Sequence, residues 1–162
     1  MEKMFCPYHI DEKRQKELGV SLYHVFENTM LLRQVHLVVA ENIMLVRLSP
    51  EVVGVVGEYC GPDDVSGLCS WKNISKTVFV FIEEKDLYVS VVTHECSHAV
   101  ARILEMCGID TEPSSELVAT CVGNLTEAVL STLKIYGFIV GDMLDSPNIP
   151  KITSTPPIIN FE

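Results

Sequence analysis

Apolar and polar positions change rhythm several times along the chain. Asp11 can cap a short helix that stops at Leu18-Gly19. From Val20 to Leu32, the positions Leu22, Tyr23, Phe26, Met30 and Leu31 recur near helical spacing. This predicts an N-terminal helical layer, with His24 as a partly buried, hydrogen-bonded residue. The run VHLVVAENIMLVRLSPEVVGVVGEY is dense in Val, Leu and Ile. It predicts strands near 35–39 and 43–48, joined through Ala40-Glu41-Asn42 and broken at Ser49-Pro50, then a strand over 52–56. A helix over 28–40 is the competing reading. Turn formers crowd residues 57–76, which read as one long loop. The single tryptophan, Trp71, lies there, either as a core anchor or as the wall of a groove.

The second half is more regular. TVFVFI, Thr77 to Ile82, has the composition of a strand and ends at Glu83-Glu84-Lys85. Asp86 is placed to cap a helix from Leu87 to about Cys107, with Gly108 as its stop. Val92, Cys96, Ala99, Ile103 and Leu104 form the core stripe of that helix. Val91, His94, His98 and Arg102 run along another side. After a turn at 109–113, Ser114 or Ser115 can cap a helix reaching about Lys134, with Leu117, Val118, Cys121, Leu125, Ala128, Val129 and Leu133 on its apolar side. A short apolar piece follows at 138–140, and the end is rich in proline. The expected fold is α+β: one domain over 1–145, and an extended or disordered tail over 146–162.

Composition narrows the partners. Hydrophobic residues are 48% of 162, enough for a core without disulfides. The net charge of −10 disfavours binding to nucleic acid, and the only dense basic run, Lys13-Arg14-Gln15-Lys16, is flanked by acids. The N-terminus shows no apolar leader core and no stretch is apolar enough to span a membrane. A cytoplasmic chain with reduced thiols is therefore expected. Cys6-Pro7-Tyr8-His9 resembles half of a metal knuckle that Cys60 and Cys69 could complete; the plainer reading is a surface loop and core cysteines.

The chemistry concentrates in His94-Glu95-Cys96-Ser97-His98, an H-E-x-x-H pattern on the long helix. Residues four apart lie one turn apart on one face, so His94 and His98 can reach a single metal ion, Zn²⁺ in hydrolases of this pattern. Glu95 is the candidate general base. A catalytic zinc needs a third protein ligand and an open position. Glu116, 18 residues after His98 in the first turn of the next helix, is the first choice. Glu112 is the runner-up, with Asp110, Cys121 and Asp142 behind it. The plain alternative for Glu116 is an acid favoured by the helix dipole.

The stretch TVFVFIEEKDLYVSVVTHECSHAVARIL followed by SSELVATCVGNLTEAV resembles the zincin metallopeptidases of the gluzincin kind. It is also similar to small metallopeptidase-like proteins of tailed phages. The resemblance covers about residues 77–134. It implies a minimal zincin-like domain, a small sheet on the H-E-x-x-H helix, with His94, His98 and Glu116 as zinc ligands and Glu95 as base. It implies a peptide or protein substrate bound beside the strand at 77–82 by strand addition. Gluzincins often carry an aspartate four residues after the ligand glutamate; here Thr120 stands there. Tyr136, Tyr88, Tyr59 and Arg102 are candidates for oxyanion support. The expected function is a zinc-dependent metallopeptidase. The alternatives are a non-catalytic zinc-binding structural or interaction protein, and a helical protein without metal.

Overall fold

The structure, a computed structural model, describes residues 10–26, 34–72, 77–110, 112 and 115–142. In chain order the elements are α1 (Glu12–Glu17), β1 (Val20–Phe26), β2 (Gln34–Ala40), α2 (Ile43–Arg47), α3 (Pro50–Val56), β3 (Gly67–Lys72), β4 (Thr77–Glu83), α4 (Val89–Met106) and α5 (Glu116–Ile135). Four strands make one mixed sheet, ordered β1-β2-β4-β3. β2 and β4 run parallel, with Val35 opposite Val78 and Val39 opposite Ile82, while β1 and β3 pair antiparallel at the two outer sides.

Every residue of β4 is buried, and in β2 only Gln34 is not. A strand with no polar face needs cover on both sides. On one side Val35, Leu37, Val39, Val78, Val80 and Ile82 meet α4 and α5. On the other, Val38, Ala40, Phe79 and Phe81 meet Ile43, Val46, Val52 and Val55 of α2 and α3. The observed class is α+β, a small sheet between two helical layers.

Several expectations change. Residues 20–26 form a strand, not a helix: β1 pairs along β2 with an irregularity between Val20 and Leu22, and β-formers such as Val25 and Phe26 suit that ladder. Residues 27–33, including the rest of the expected helix, lie outside the described residues. The strands expected at 43–48 and 52–56 are α2 and α3. Asn42 caps α2 by accepting from the amides of Met44 and Leu45, and Pro50 opens α3. Short helices made almost wholly of apolar residues mimic the apolar run of a strand. Residues 67–72 of the expected loop form β3. The expected strand at 77–82 is observed as β4. The helix expected from Leu87 begins at Val89, and its N-cap is Tyr88; Asp86 sits in a short 3₁₀ turn at 84–86 instead. Gly108 follows α4 with φ +70°, and Ser115 caps α5 by accepting from Val118 N–H. The boundary expected at 145–146 lies outside the described residues.

The chain after α5 returns to the start of α4. Gly141 N–H donates to Leu87 O at 2.9 Å, and Val89 N–H to Gly141 O at 3.0 Å. Among the described residues no helix is long and apolar enough to cross a membrane.

Phe81 is fully buried in the layer under α2 and α3. Phe81→Ala is expected to cost about 3–5 kcal/mol, whereas Ile139→Ala, at 91% exposure, should stay within roughly 0.5 kcal/mol. Urea denaturation of both variants measures the contrast.

Candidate functional site

α4 sorts its side chains by face. Val92, Cys96, Ala99, Val100, Ile103 and Leu104 are buried towards the sheet and α5. His94 and His98 are exposed, one turn apart, with their Nε2 atoms 3.1 Å from each other. Two imidazole nitrogens sharing a tetrahedral zinc at ~2.0–2.1 Å lie about 3.3 Å apart. The pair therefore fits a single such ion. Burial, then His94, then Arg102, lower the His98 pKa. That favours the neutral imidazole, the form that ligates metal.

Glu95 follows His94 in sequence, but a step of about 100° carries it round the helix. It is 6% exposed and lies beneath the start of β3. A Cβ built on Gly67 would come within 2.7 Å of Glu95 Cγ and 2.8 Å of Oε1. Only a residue without a side chain leaves room for this carboxylate. Burial raises the Glu95 pKa to about 7.

β3 alternates between the two sides of the sheet. Gly67, Cys69 and Trp71 share the α4 side. Cys69 is buried; burial first, then the Glu95 charge, push its thiol up to about 12. It behaves as a core residue, not a nucleophile. The Arg102 guanidinium lies 4.2 Å from the Trp71 ring centroid, and its Nη1 donates to Glu105 at 2.7 Å. Arg102 falls one turn beyond His98, so His94, His98 and Arg102 follow one side of α4. Trp71 is 37% exposed, so it is not a core anchor.

The third ligand is not assembled. Among the described residues, no group of three His, Cys, Asp or Glu could hold a metal ion. Glu116 is the exposed first residue of α5, Glu112 is exposed in the turn, and neither joins the histidine pair. α5 packs through Cys121, Leu125, Val129 and Leu133, which leaves Glu116 and Thr120 on exposed positions. Cys121 is in that packed stripe, and Asp110 and Asp142 are exposed. The knuckle at Cys6–His9 lies outside the described residues, and Cys60 and Cys69 join no three-donor group.

Of the oxyanion candidates, Arg102 alone shares α4 with the histidines. The Tyr136 ring sits 6.1 Å from that of His24, Tyr88 lies against Gly141, and Tyr59 donates to Pro62 O. The strand beside the site also differs from expectation. β4 has neighbours on both sides, so it has no free edge for an added chain; β3 is the outer strand. Neither Gly67 nor β3 stood out in the sequence. The short run Leu68-Cys69-Ser70-Trp71, set among turn formers, was the only available signal.

Glu95 gives a pH dependence. Its carboxyl ionises near 4.5 when unfolded and near 7 when folded. The unfolded chain loses this proton first, so metal-free protein should lose stability as pH rises through that window. Glu95→Gln removes the effect. The Tm difference, variant minus parent, should grow from about pH 4.5 to about pH 7 and then level off, read by scanning fluorimetry. Gly67→Ala should displace the carboxylate and cost about 1–3 kcal/mol. In NMR titrations the Glu95 pKa should then move back towards its ordinary value.

No family model, no curated protein and no solved structure matches this chain.

Proposed function

We propose that this chain is a zinc-dependent hydrolase acting on peptide bonds, built as a minimal zincin-like domain. The observation that carries this reading is the His94–His98 pair, with Nε2 atoms 3.1 Å apart, next to a buried Glu95. His94 and His98 would hold the ion, and Glu116 or Glu112 would move in as third ligand. When bound, zinc would supply a Lewis acid and bring a water towards neutral pKa.

The chain's own residues do the rest. Glu95 takes the proton of the attacking water and returns it to the leaving amine. Its seat against Gly67 limits its rotamers and excludes solvent. A pKa of about 7 suits proton transfer near neutral pH, and a neighbouring dication would favour the carboxylate form. Arg102, held over Trp71, places a positive charge along the same side of α4. The outer edge of β3 is where an extended substrate can add as a strand.

A second reading has its own support: no three-donor group forms among the described residues. Under it the chain binds metal through the two histidines without turnover.

Metal quantification and peptide hydrolysis decide between these. Zinc should load at one per chain, and His94→Ala should abolish loading. Glu95→Gln should keep zinc and lose turnover by roughly 10²–10⁴-fold. Hydrolysis retained by zinc-loaded Glu95→Gln would remove the role given to Glu95. Chelation should abolish activity with little change in Tm, because the core is packed without the histidines; zinc loading with no hydrolysis at all would favour the second reading. Glu116→Ala should weaken zinc binding more than Glu112→Ala.

A further inference from the structure

α2 is apolar except for Arg47, and Arg47 is buried at 3% exposure. Its Nε donates to Ser70 Oγ on β3 at 2.8 Å. Its Nη1 donates to the carbonyl of Gly57, the residue that ends α3, at 2.9 Å. The guanidinium carbon lies 5.4 Å from the Tyr59 ring centroid. These contacts tie α2 to the edge strand and to the turn after α3. They leave the charge without a counter-ion. Among the described residues no carboxylate pairs with Arg47, and Nη2 donates to none. Burial lowers its pKa, but a guanidinium keeps its proton under ordinary conditions. A desolvated, unpaired cation is costly unless something else is there to meet it.

The space beside it is a cavity of about 370 Å³, open to solvent. Arg47, Glu58, Tyr59, Cys60, Ser70 and Trp71 are on its walls. Glu58 is exposed and forms no ion pair with Arg47. Ser70 accepts from Arg47, which leaves its hydroxyl hydrogen to donate. Nη2 and Ser70 thus offer adjacent donors at a buried positive centre.

We propose that this cavity binds a carboxylate, with Arg47 as the charged anchor and Ser70 as a second donor. A planar guanidinium matches the two oxygens of a carboxylate. One cation with Glu58 nearby, in a chain of net charge −10, is poorly matched to a phosphate dianion. The carboxylate reaches the cavity as a free acid, as a peptide C-terminus or as an acidic side chain, and β3 offers its edge to an extended chain. The proposal stands whether or not the histidine pair holds metal.

Isothermal titration calorimetry reads binding in the unmodified protein. Metal-free protein is titrated at constant ionic strength with acetate, trialanine, trialanine amide, N-acetyl-Ala-Asp-Ala amide and inorganic phosphate. At least one carboxylate should give a saturable change, on the order of ten- to a hundred-fold tighter than trialanine amide. The pattern identifies the source: acetate for a free acid, trialanine for a C-terminus, the aspartyl peptide for a side chain. Arg47→Gln, checked for fold by circular dichroism, should lose that preference, and Arg47→Lys should keep part of it. If Arg47→Gln does not fold, the comparison of acid with amide in the parent protein decides. No saturable response to any carboxylate, an equal response to the amide, a response to phosphate alone, or a preference that persists in folded Arg47→Gln would each overturn the proposal.

Discussion

β4 is the constraint on which the other elements depend. All of its side chains are buried, so both sheet faces must be covered. α4 and α5 cover one face, and α2 and α3, with Ile10 and Leu18 from either side of α1, cover the other. Because α4 commits Val92, Cys96, Ala99, Ile103 and Leu104 to that cover, its histidines point away from the core. Their exposure follows from where the apolar stripe runs. A pair of imidazoles one turn apart is then held on a rigid element, the arrangement that suits a site needing fixed geometry.

The edge strand supplies what α4 lacks. Glu95 would be a solvated carboxylate on an isolated helix. Beneath β3 it is desolvated, and its pKa rises to about 7. Gly67 makes that approach sterically allowed. On the same side of the strand Trp71 holds Arg102 along the histidine side of α4, while on the opposite side Ser70 receives Arg47. One six-residue strand therefore conditions two cationic groups and one carboxylate. The same strand, rather than 77–82, is the outer one beside α4.

The legible parts were those with long, one-period patterns. β4, α4 and α5 came out within about two residues, because continuous β-branched and aromatic runs, or a heptad-like stripe ended by glycine, have few other solutions. The misread parts were short. α2 and α3 have five and seven residues, too few to display a helical period when nearly all of them are apolar. β1 carries side chains spaced as a helix would space them, yet its pairing with β2 outweighs that spacing. In the candidate site, the His94–His98 pair and the neighbouring Glu95 were legible from spacing alone. The position of Glu116 was not, since it depends on how α5 is rotated, and that rotation is set by Cys121, Leu125 and Val129 meeting the core.

By itself the sequence determined the local chemistry: two histidines one turn apart, a carboxylate between them, a helix stopped at Gly108 after them, and an acidic chain with enough apolar residues for one core. Those depend on neighbours within a few positions, where bond geometry leaves little freedom. Tertiary structure decided which groups lose water. Glu95 and Arg47 are ordinary charged residues in the sequence. One is buried under Gly67 and the other between Ser70 and Gly57, each contact bridging 10 or more positions in the chain. Desolvation depends on what the rest of the fold places overhead, and no local pattern contains that information.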